Sequence, residues 1–404
     1  MFSKTLATYG RRSALGFSLW LLCLPALAQS PVSSGTTPFI FDGNRIYAEL
    51  SFVRPDGSIH KALAFIDMGS PSVAVAESLF KELQLDQGSP MIIRVGAMPV
   101  RIPAVEVTSD RSQPYSVGSD LKVEAILAAG IMQKYEVAID YQKRNLTFAN
   151  PGTLKAEGVP VPFQINRDTG LIAVNASIDG KSYAVTVDNG SAYTWFRQST
   201  ARGWLTTHPR WERGVGAVGA SNMMMSGDGA EIDGILLRIP EISIGSLTLR
   251  QVGALGAGPS RGFPGNLELF EWYSTKNALP VIGWLGGNVL NGFRLTIDYP
   301  NHIMYWLRQT QTQSDGGDLD QIGLTLQANN GEYIVAAIAK KNGKPTVENV
   351  QPGDKLIGID GMETKRATWG GIYRAMHGNP GEVRVLFLER GTHQITVRAR
   401  VTSF

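Results

Sequence analysis

An apolar strand that runs into the motif Asp-x-Gly-Ser occurs twice in this chain, in residues 64–70 and again in residues 185–191. In each copy the apolar run ends in an aspartate, and one variable residue, a glycine and a serine follow. Asp67 and Asp188 therefore occupy equivalent places. The glycine allows an unusual turn and a close approach of another backbone. The repeat predicts two similar loops, each presenting one carboxyl group, and these two groups could meet at one site.

The segments downstream of the two motifs also match each other. Residues 283–290 align without a gap on residues 125–132, and residues 293–299 align on residues 135–141. Before each aspartate, two strand-like runs joined by a turn predict a β-hairpin. Matching ends around matching aspartates indicate an internal duplication. We therefore expect a mainly β fold that contains two similar lobes.

The N-terminal residues have the pattern of a secretion signal. Lys4, Arg11 and Arg12 precede an apolar stretch at 14–27, and small residues suit cleavage after Ala28. The stretch is too short to span a membrane. We expect an extracytoplasmic protein, periplasmic or secreted, with no integral membrane segment once the signal is removed.

The composition excludes several classes of function. The one cysteine, Cys23, leaves with the signal, so we expect neither a disulfide nor thiol chemistry in the mature chain. The signal also takes three of the 38 basic residues, which leaves 35 against 35 acidic residues. This balance gives no electrostatic reason to expect a nucleic-acid partner. The five histidines lack ligand spacing, and we expect no metal and no other cofactor.

Polar and turn-rich stretches mark the expected domain boundaries. The second copy is the larger because of two apolar insertions, at 235–254 and 262–279. The predicted regions are a signal peptide at 1–28, a disordered leader at 29–37, a first lobe at 38–150, a second lobe at 158–308, a linker at 309–318 and a third unit at 319–404.

The two lobes resemble those of the pepsin and retropepsin aspartic peptidases, which are all-β. The resemblance rests on the two Asp-x-Gly-Ser motifs and on two apolar closures, each followed by an Ile-Asp-Tyr strand. It implies that Asp67 and Asp188 are a catalytic dyad. It also implies loops shaped by the glycines and serine hydroxyls that hold the outer carboxylate oxygens. These supporting residues are Gly69, Ser70, Gly190 and Ser191.

Such a dyad hydrolyses peptide bonds without a metal or a covalent intermediate. Two carboxyl groups about 3 Å apart cannot both ionise, so they share one proton. The ionised member acts as general base on a water, and the protonated member polarises the scissile carbonyl. The implied function is an endopeptidase that acts on peptide or protein substrates.

Two residues depart from the family pattern. The family usually has a threonine or serine between the aspartate and the glycine, and its hydroxyl helps to lock the two loops together. Here Met68 and Asn189 stand at these places. Methionine cannot form such a bond, and asparagine forms it with a different reach. The alternative to a peptidase is therefore a peptide-binding protein on the same lobes that does not cut.

The third unit contains the run Gln-Pro-Gly-Asp-Lys-Leu-Ile at 351–357, an Ile-Asp-Gly turn, a predicted helix at 369–376 and two closing strands. With these features it resembles a small α+β domain, the PDZ domain of the bacterial strand order. It implies a loop whose backbone amides bind the C-terminal carboxylate of a peptide or protein partner. The alternative is a packing module without a free ligand. The residues implied for the carboxylate-binding loop are Gly323, Leu324 and Thr325.

Two further motifs are interpreted as non-catalytic. Asp168, Thr169 and Gly170 spell the family's usual triplet, but polar residues precede them and predict a turn. The glycine-rich string at 214–219 lacks the strand and helix of a dinucleotide site. With the methionines at 223–225, it is a candidate for a flap over the cleft, and core packing is the alternative for those methionines.

Overall fold

β-Strands make up most of the chain over the residues that this computed structural model describes, which are 32–110, 121–218, 229–259, 261–263, 267–309, 317–329, 332–365 and 367–404. The strands of the first lobe are β1 (Ser34–Asp42), β2 (Arg45–Val53), β3 (Ile59–Asp67), β4 (Val73–Ala76), β5 (Met91–Val95), β6 (Met98–Ile102), β7 (Val107–Asp110), β8 (Val123–Ala128), β9 (Glu136–Asp140) and β10 (Asn145–Ala149).

The second lobe and the third unit continue this pattern. The second lobe contains β11 (Val159–Pro162), β12 (Gln164–Ile165), β13 (Ile172–Ile178), β14 (Lys181–Val187), β15 (Trp195–Arg197), β16 (Glu212–Val215), β17 (Ile235–Ile244), β18 (Leu247–Ala257), β19 (Arg261–Phe263), β20 (Leu267–Glu268), β21 (Gly283–Leu285), β22 (Phe293–Asp298) and β23 (Ile303–Arg308). The third unit contains β24 (Asp320–Gln321), β25 (Leu324–Asn329), β26 (Glu332–Ile338), β27 (Lys340–Lys341), β28 (Lys344–Pro345), β29 (Lys355–Ile359), β30 (Met362–Glu363), β31 (Val383–Arg390), β32 (His393–Arg400) and β33 (Thr402–Ser403).

Helices are few and short. They are α1 (Glu77–Glu82), α2 (Gln198–Thr207), α3 (Leu269–Lys276), α4 (Gly287–Leu290) and α5 (Trp369–Met376), with 3₁₀ turns at Leu85–Gln87, Ala104–Glu106, Ala129–Lys134, Pro209–Trp211 and Gly317–Leu319. None of the helices in the described ranges is long and apolar enough to cross a membrane.

The first strand starts inside the predicted leader. Residues 34–38 pair with β10, and the hydroxyl of Thr37 donates to the carbonyl of Glu49 at 3.2 Å. The Ser/Gly/Thr sequence carries no apolar alternation, so its order comes from the partner strands. The prediction of a disordered leader is therefore wrong for residues 34–37. The predicted signal peptide lies outside the described residues.

The closing strands of the two lobes pair with each other in one large sheet. β9 and β22 are antiparallel, and Ala138 lies opposite Thr296. These two residues are also equivalent in the alignment of 135–141 with 293–299. An approximate two-fold axis therefore passes through this pair, as an internal duplication predicts.

Each aspartate strand pairs in parallel with the closure strand of its own lobe. In the first lobe β3 pairs with β8, and Ile66 lies opposite Leu127. In the second lobe β14 pairs with β21, and Val187 lies opposite Leu285. The two pairings match residue for residue, so both aspartates leave the sheet in the same way.

The two insertions of the second lobe form a long hairpin and a helix. β17 and β18 pair over most of their length. Helix α3 begins with a capping box formed by Glu268 and Glu271. It buries Phe270 and Tyr273 in the same apolar cluster as Trp284 of β21. The second insertion thus packs a helix against the strand that closes the second lobe.

The third unit forms a sheet in the order β25-β26-β29-β31-β32, and α5 covers the predicted range of its helix. It contacts both lobes. β27 extends the sheet of the second lobe through Lys340, which lies opposite Val215 of β16. The carboxylate of Asp42, at the end of β1, accepts hydrogen bonds from Thr368 at 2.7 Å and from the N–H of Gly370 at 2.8 Å. Thr368 is the N-cap of α5, and a first-lobe residue therefore binds both this cap and the first turn of the helix.

The predicted linker ends in an ordered residue. The carboxylate of Asp318 accepts from the hydroxyl of Tyr193 at 2.7 Å and from the guanidinium of Arg238 at 3.0 Å. Residues 310–316 lie outside the described part of the chain. The start of the third unit is thus tied to the second lobe close to the loop that carries Asp188.

Candidate active site

Two matching loops bring Asp67 and Asp188 together at the lobe interface. An ideal Cβ placed on Gly69 would lie 2.2 Å from Oδ1 of Asp188, and one placed on Gly190 would lie 2.2 Å from Oδ1 of Asp67. Each carboxyl group therefore lies against the backbone of the opposite loop, in space that any side chain would fill. This explains why both motifs need glycine, and it brings both carboxyl groups to the contact between the two loops.

Asp188 receives three hydrogen bonds from its own loop. The N–H groups of Gly190 and Ser191 donate to Oδ1 at 2.9 and 3.1 Å, and the hydroxyl of Ser191 donates to Oδ2 at 2.8 Å. Asp188 is 3% exposed. A carboxylate with this many donors is well suited to carry a negative charge.

Asp67 is held less firmly. The N–H of Gly69 donates to its Oδ1 at 2.8 Å. The hydroxyl of Ser70 donates instead to the carbonyl of Ser72 at 2.9 Å, since the chain bends directly after it. The resemblance implied that Ser70 and Ser191 play the same role, and in this respect the two loops differ.

The surroundings of Asp67 and Asp188 affect the pKa values of the two carboxyl groups differently. Burial and the neighbouring Asp188 raise the pKa of Asp67 well above its ordinary value. Burial also raises the pKa of Asp188, but the hydroxyl and N–H of Ser191 and the N–H of Gly190 lower it. The hydrogen bonds from Ser191 and Gly190 thus favour the ionised form of Asp188, whereas the neighbouring charge of Asp188 disfavours the ionised form of Asp67.

Asn189 ties the two loops to each other. Its side-chain Oδ1 accepts from the N–H of Met68 at 2.7 Å, and its Nδ2 donates to the carbonyl of Ile66 at 2.9 Å. Met68 is fully buried in the apolar core. One asparagine thus makes two bonds across the interface, and the methionine contributes packing where the family has a hydroxyl.

Sequence reasoning missed two residues that contact the loops carrying Asp67 and Asp188. Arg45, the first residue of β2, is 1% exposed and its Nε donates to the carbonyl of Gly190 at 2.8 Å. Tyr273 of α3 is also buried, and its hydroxyl donates to the carbonyl of Gly69. Burial raises the pKa of Tyr273 well above its ordinary value, and the charge of Asp188 raises it further. The only sequence signal for Arg45 is a basic residue at the start of a strand that is otherwise rich in apolar residues.

The other predicted triplet is a turn, as expected. Asn166 Oδ1 accepts from the N–H of Asp168 at 2.9 Å, and Gly170 has a positive φ of 77°. This turn does not contribute a carboxylate to the dyad. Within the described ranges, no cluster of histidine, cysteine and carboxylate side chains is arranged to hold a metal ion.

The predicted carboxylate-binding loop of the third unit is covered. Gly323, Leu324 and Thr325 are all buried. The N–H of Ala217, from the second lobe, donates to the hydroxyl of Thr325 at 3.2 Å, and the N–H of Leu324 donates to the carbonyl of Ile322 at 3.0 Å. A peptide can reach this loop only after the contact with the second lobe opens.

The known proteins that match this chain are found among solved structures. No family model and no curated protein matches the chain. Among solved structures, the chain is similar to an aspartic proteinase from Irpex lacteus, with 12% sequence identity and a TM-score of 0.40. This alignment covers 70% of the present chain and 99% of the other.

Proposed function

We propose that the chain is an aspartic endopeptidase with Asp67 and Asp188 as its dyad. The observation that carries this proposal is the reciprocal packing of each carboxyl group against the glycine of the opposite loop. Two carboxyl groups in this arrangement, one buried and one half-buried, cost free energy when both are ionised, and sharing a proton avoids that cost. That shared proton is what acid–base hydrolysis of an amide requires.

The unequal hydrogen bonding supports a division of labour. Asp188, with its three donors, is the ionised general base that takes a proton from the attacking water. Asp67 carries the shared proton and donates it toward the scissile carbonyl oxygen as the tetrahedral intermediate forms. The proton taken by Asp188 then passes to the nitrogen of the leaving amine, and as the C–N bond breaks one hydroxyl of the intermediate returns a proton to Asp67. One water is consumed per peptide bond broken, and both aspartates regain their starting protonation.

The proposal also covers where the protein acts and what its third unit binds. The N-terminal basic and apolar pattern supports export, so the substrates we propose are extracytoplasmic peptides or proteins. Docking of a peptide C-terminus at Gly323, Leu324 and Thr325 stays a prediction. It requires that Ala217 release the hydroxyl of Thr325.

A second candidate is a peptide-binding protein that does not cut. The observation that favours it is the hydroxyl of Tyr273, which lies against both the Gly69 carbonyl and Asp188. With Asp188 almost fully buried, water has to enter a shielded site before it can be activated. In this case the two carboxyl groups would serve the fold and not a reaction.

Digestion of a broad peptide library from pH 3 to 7 separates the two candidates. The peptidase proposal predicts cleavage by the wild type and none by Asp67→Asn or Asp188→Asn. Asp56→Asn, on an exposed turn, is the matched control and keeps wild-type cleavage. Cleavage that survives in both dyad variants, or a wild type that binds peptides and cuts none, would refute the peptidase.

A further inference from the structure

A buried arginine lies behind the dyad and crosses the lobe interface. Arg45 belongs to β2 of the first lobe, whereas the carbonyl that its Nε bonds belongs to Gly190 in the second loop. Burying a guanidinium costs free energy unless acceptors and an opposite charge surround it. Arginine also stays protonated in proteins, so its charge is permanent. Its burial at this place therefore calls for a negative partner nearby.

The positions of both carboxyl groups depend on Gly190, whose carbonyl accepts the hydrogen bond from Arg45. The N–H of Gly190 donates to Oδ1 of Asp188 at 2.9 Å. The α-carbon of the same residue is so close to Asp67 that an added Cβ would lie 2.2 Å from Oδ1. A shift of Gly190 would consequently disturb the hydrogen bonding of one carboxyl group and the packing of the other.

Asp42, Tyr47 and both dyad carboxyl groups lie near Arg45. Asp42 lies opposite Arg45 in the hairpin of β1 and β2, and its carboxylate oxygens accept bonds from Thr368 and Gly370. Burial raises the pKa of Tyr47 to about 12, so that hydroxyl stays neutral. The charge of Arg45 lowers the pKa of both Asp67 and Asp188, against the effect of burial.

We propose that Arg45 is a positioning residue of the dyad, which fixes the peptide at Gly190 and supplies the positive charge that keeps one carboxyl group ionised in a buried site. This inference rests on the proposed function. It assigns the arginine two separable effects, one geometric and one electrostatic. Two substitutions at the same position can therefore test them.

Arg45→Met removes the charge and the donor but keeps most of the side-chain length. We expect both limbs of the pH profile of kcat/KM to move to higher pH by about one unit, because an opposite charge no longer favours ionisation. We also expect kcat to fall at least about tenfold, with a smaller change in KM, because the loop loses its anchor. Arg101→Met, at an exposed position of β6, is the matched control and keeps the wild-type profile.

Arg45→Lys keeps the charge and loses the planar donor. We expect its pH limbs to stay at the wild-type positions while kcat falls to a value between those of the wild type and Arg45→Met. Unshifted limbs in Arg45→Met would overturn the electrostatic part. A wild-type kcat in Arg45→Lys would overturn the geometric part, and this variant decides that point even if Arg45→Met does not fold.

The inference can be tested even if the wild type cleaves no peptide. In that case the readout is the melting temperature between pH 3 and 8. Deprotonation of the carboxyl pair destabilises the fold. Without the positive charge of Arg45 this deprotonation extends to higher pH, so the melting temperature of Arg45→Met continues to fall up to about one pH unit above the range seen for the wild type. Parallel melting profiles of the two proteins would refute the role of Arg45, whereas an inactive wild type alone refutes only the peptidase.

Discussion

Asn189 in the second loop holds the backbone on both sides of Asp67 in the first loop: its Oδ1 accepts from the N–H of Met68 and its Nδ2 donates to the carbonyl of Ile66. Asn189 is fully buried, so neither bond competes with water. The two loops are therefore locked together, and Asn189 supplies both of these side-chain hydrogen bonds. From the sequence pattern alone, Met68 predicts a weak contact between the two loops. The bonds from Asn189 show that the contact forms without a hydroxyl at this position.

Replacement of Asn189 by alanine should damage both stability and activity. Two buried backbone groups lose their partners, at about 1–3 kcal/mol each, so unfolding in urea should show a loss of about 2–6 kcal/mol. Cleavage should fall at least about tenfold because the loops are no longer in register. Asn175→Ala, on the exposed face of β13, is the control. Equal stability of the two variants would contradict the lock.

Restoring the family's hydroxyl at Met68 should make the protein worse. The N–H of Met68 already bonds to Asn189, and the side chain lies among buried apolar residues. Met68→Thr would leave a cavity and a buried hydroxyl, at about 1–3 kcal/mol. Met68→Leu should cost less than about 1.5 kcal/mol. A Met68→Thr variant with higher kcat than the wild type would show that the methionine does weaken the site.

The dyad should make stability depend on pH. The pKa of Asp67 in the folded chain lies above its value in the unfolded chain, so the folded state binds more protons between the two values. Stability contributed by this proton is fully present below about pH 4 and is lost as pH rises through the folded pKa. The free energy of unfolding of Asp67→Asn, minus that of the wild type, should therefore increase with pH. A difference that stays constant from pH 3 to 8 would show that Asp67 titrates as an exposed carboxyl group does.

Asp42 should couple the third unit to the first lobe. Its carboxylate caps α5, so Asp42→Ala removes the bonds from Thr368 and Gly370. We expect a loss of about 1–2 kcal/mol in the free energy of unfolding and faster amide exchange in α5. Asp56→Ala, on an exposed turn, should change neither. Unchanged exchange in Asp42→Ala would mean that α5 does not depend on the first lobe.

Local pattern was sufficient to predict the repeated parts of the fold. The hairpins before each aspartate, the closing strands and helix 369–376 all follow from periodicity and turn residues. The repeat also indicates which two aspartates are equivalent. The mainly β fold was therefore predictable, whereas residues 34–37 were not, since their order comes from strands far away in sequence.

Contacts that cross between lobes were not predictable. The bond from Arg45 to Gly190 joins residues in different copies, and Tyr273 reaches Gly69 from an insertion that has no counterpart in the first lobe. The different roles of Ser70 and Ser191 depend on how each loop bends after the motif. A motif specifies residue types at a spacing, but it does not specify which partner a rotatable hydroxyl meets.

The most direct test of the central claim is to follow the titration of Asp67 by ¹³C NMR of carboxyl-labelled protein, in the wild type and in Asp188→Asn. The charge of Asp188 helps to raise the pKa of Asp67. If the two groups form one dyad, the pKa of Asp67 is raised in the wild type and falls in Asp188→Asn. An Asp67 that titrates at the same pH in both proteins would contradict the dyad.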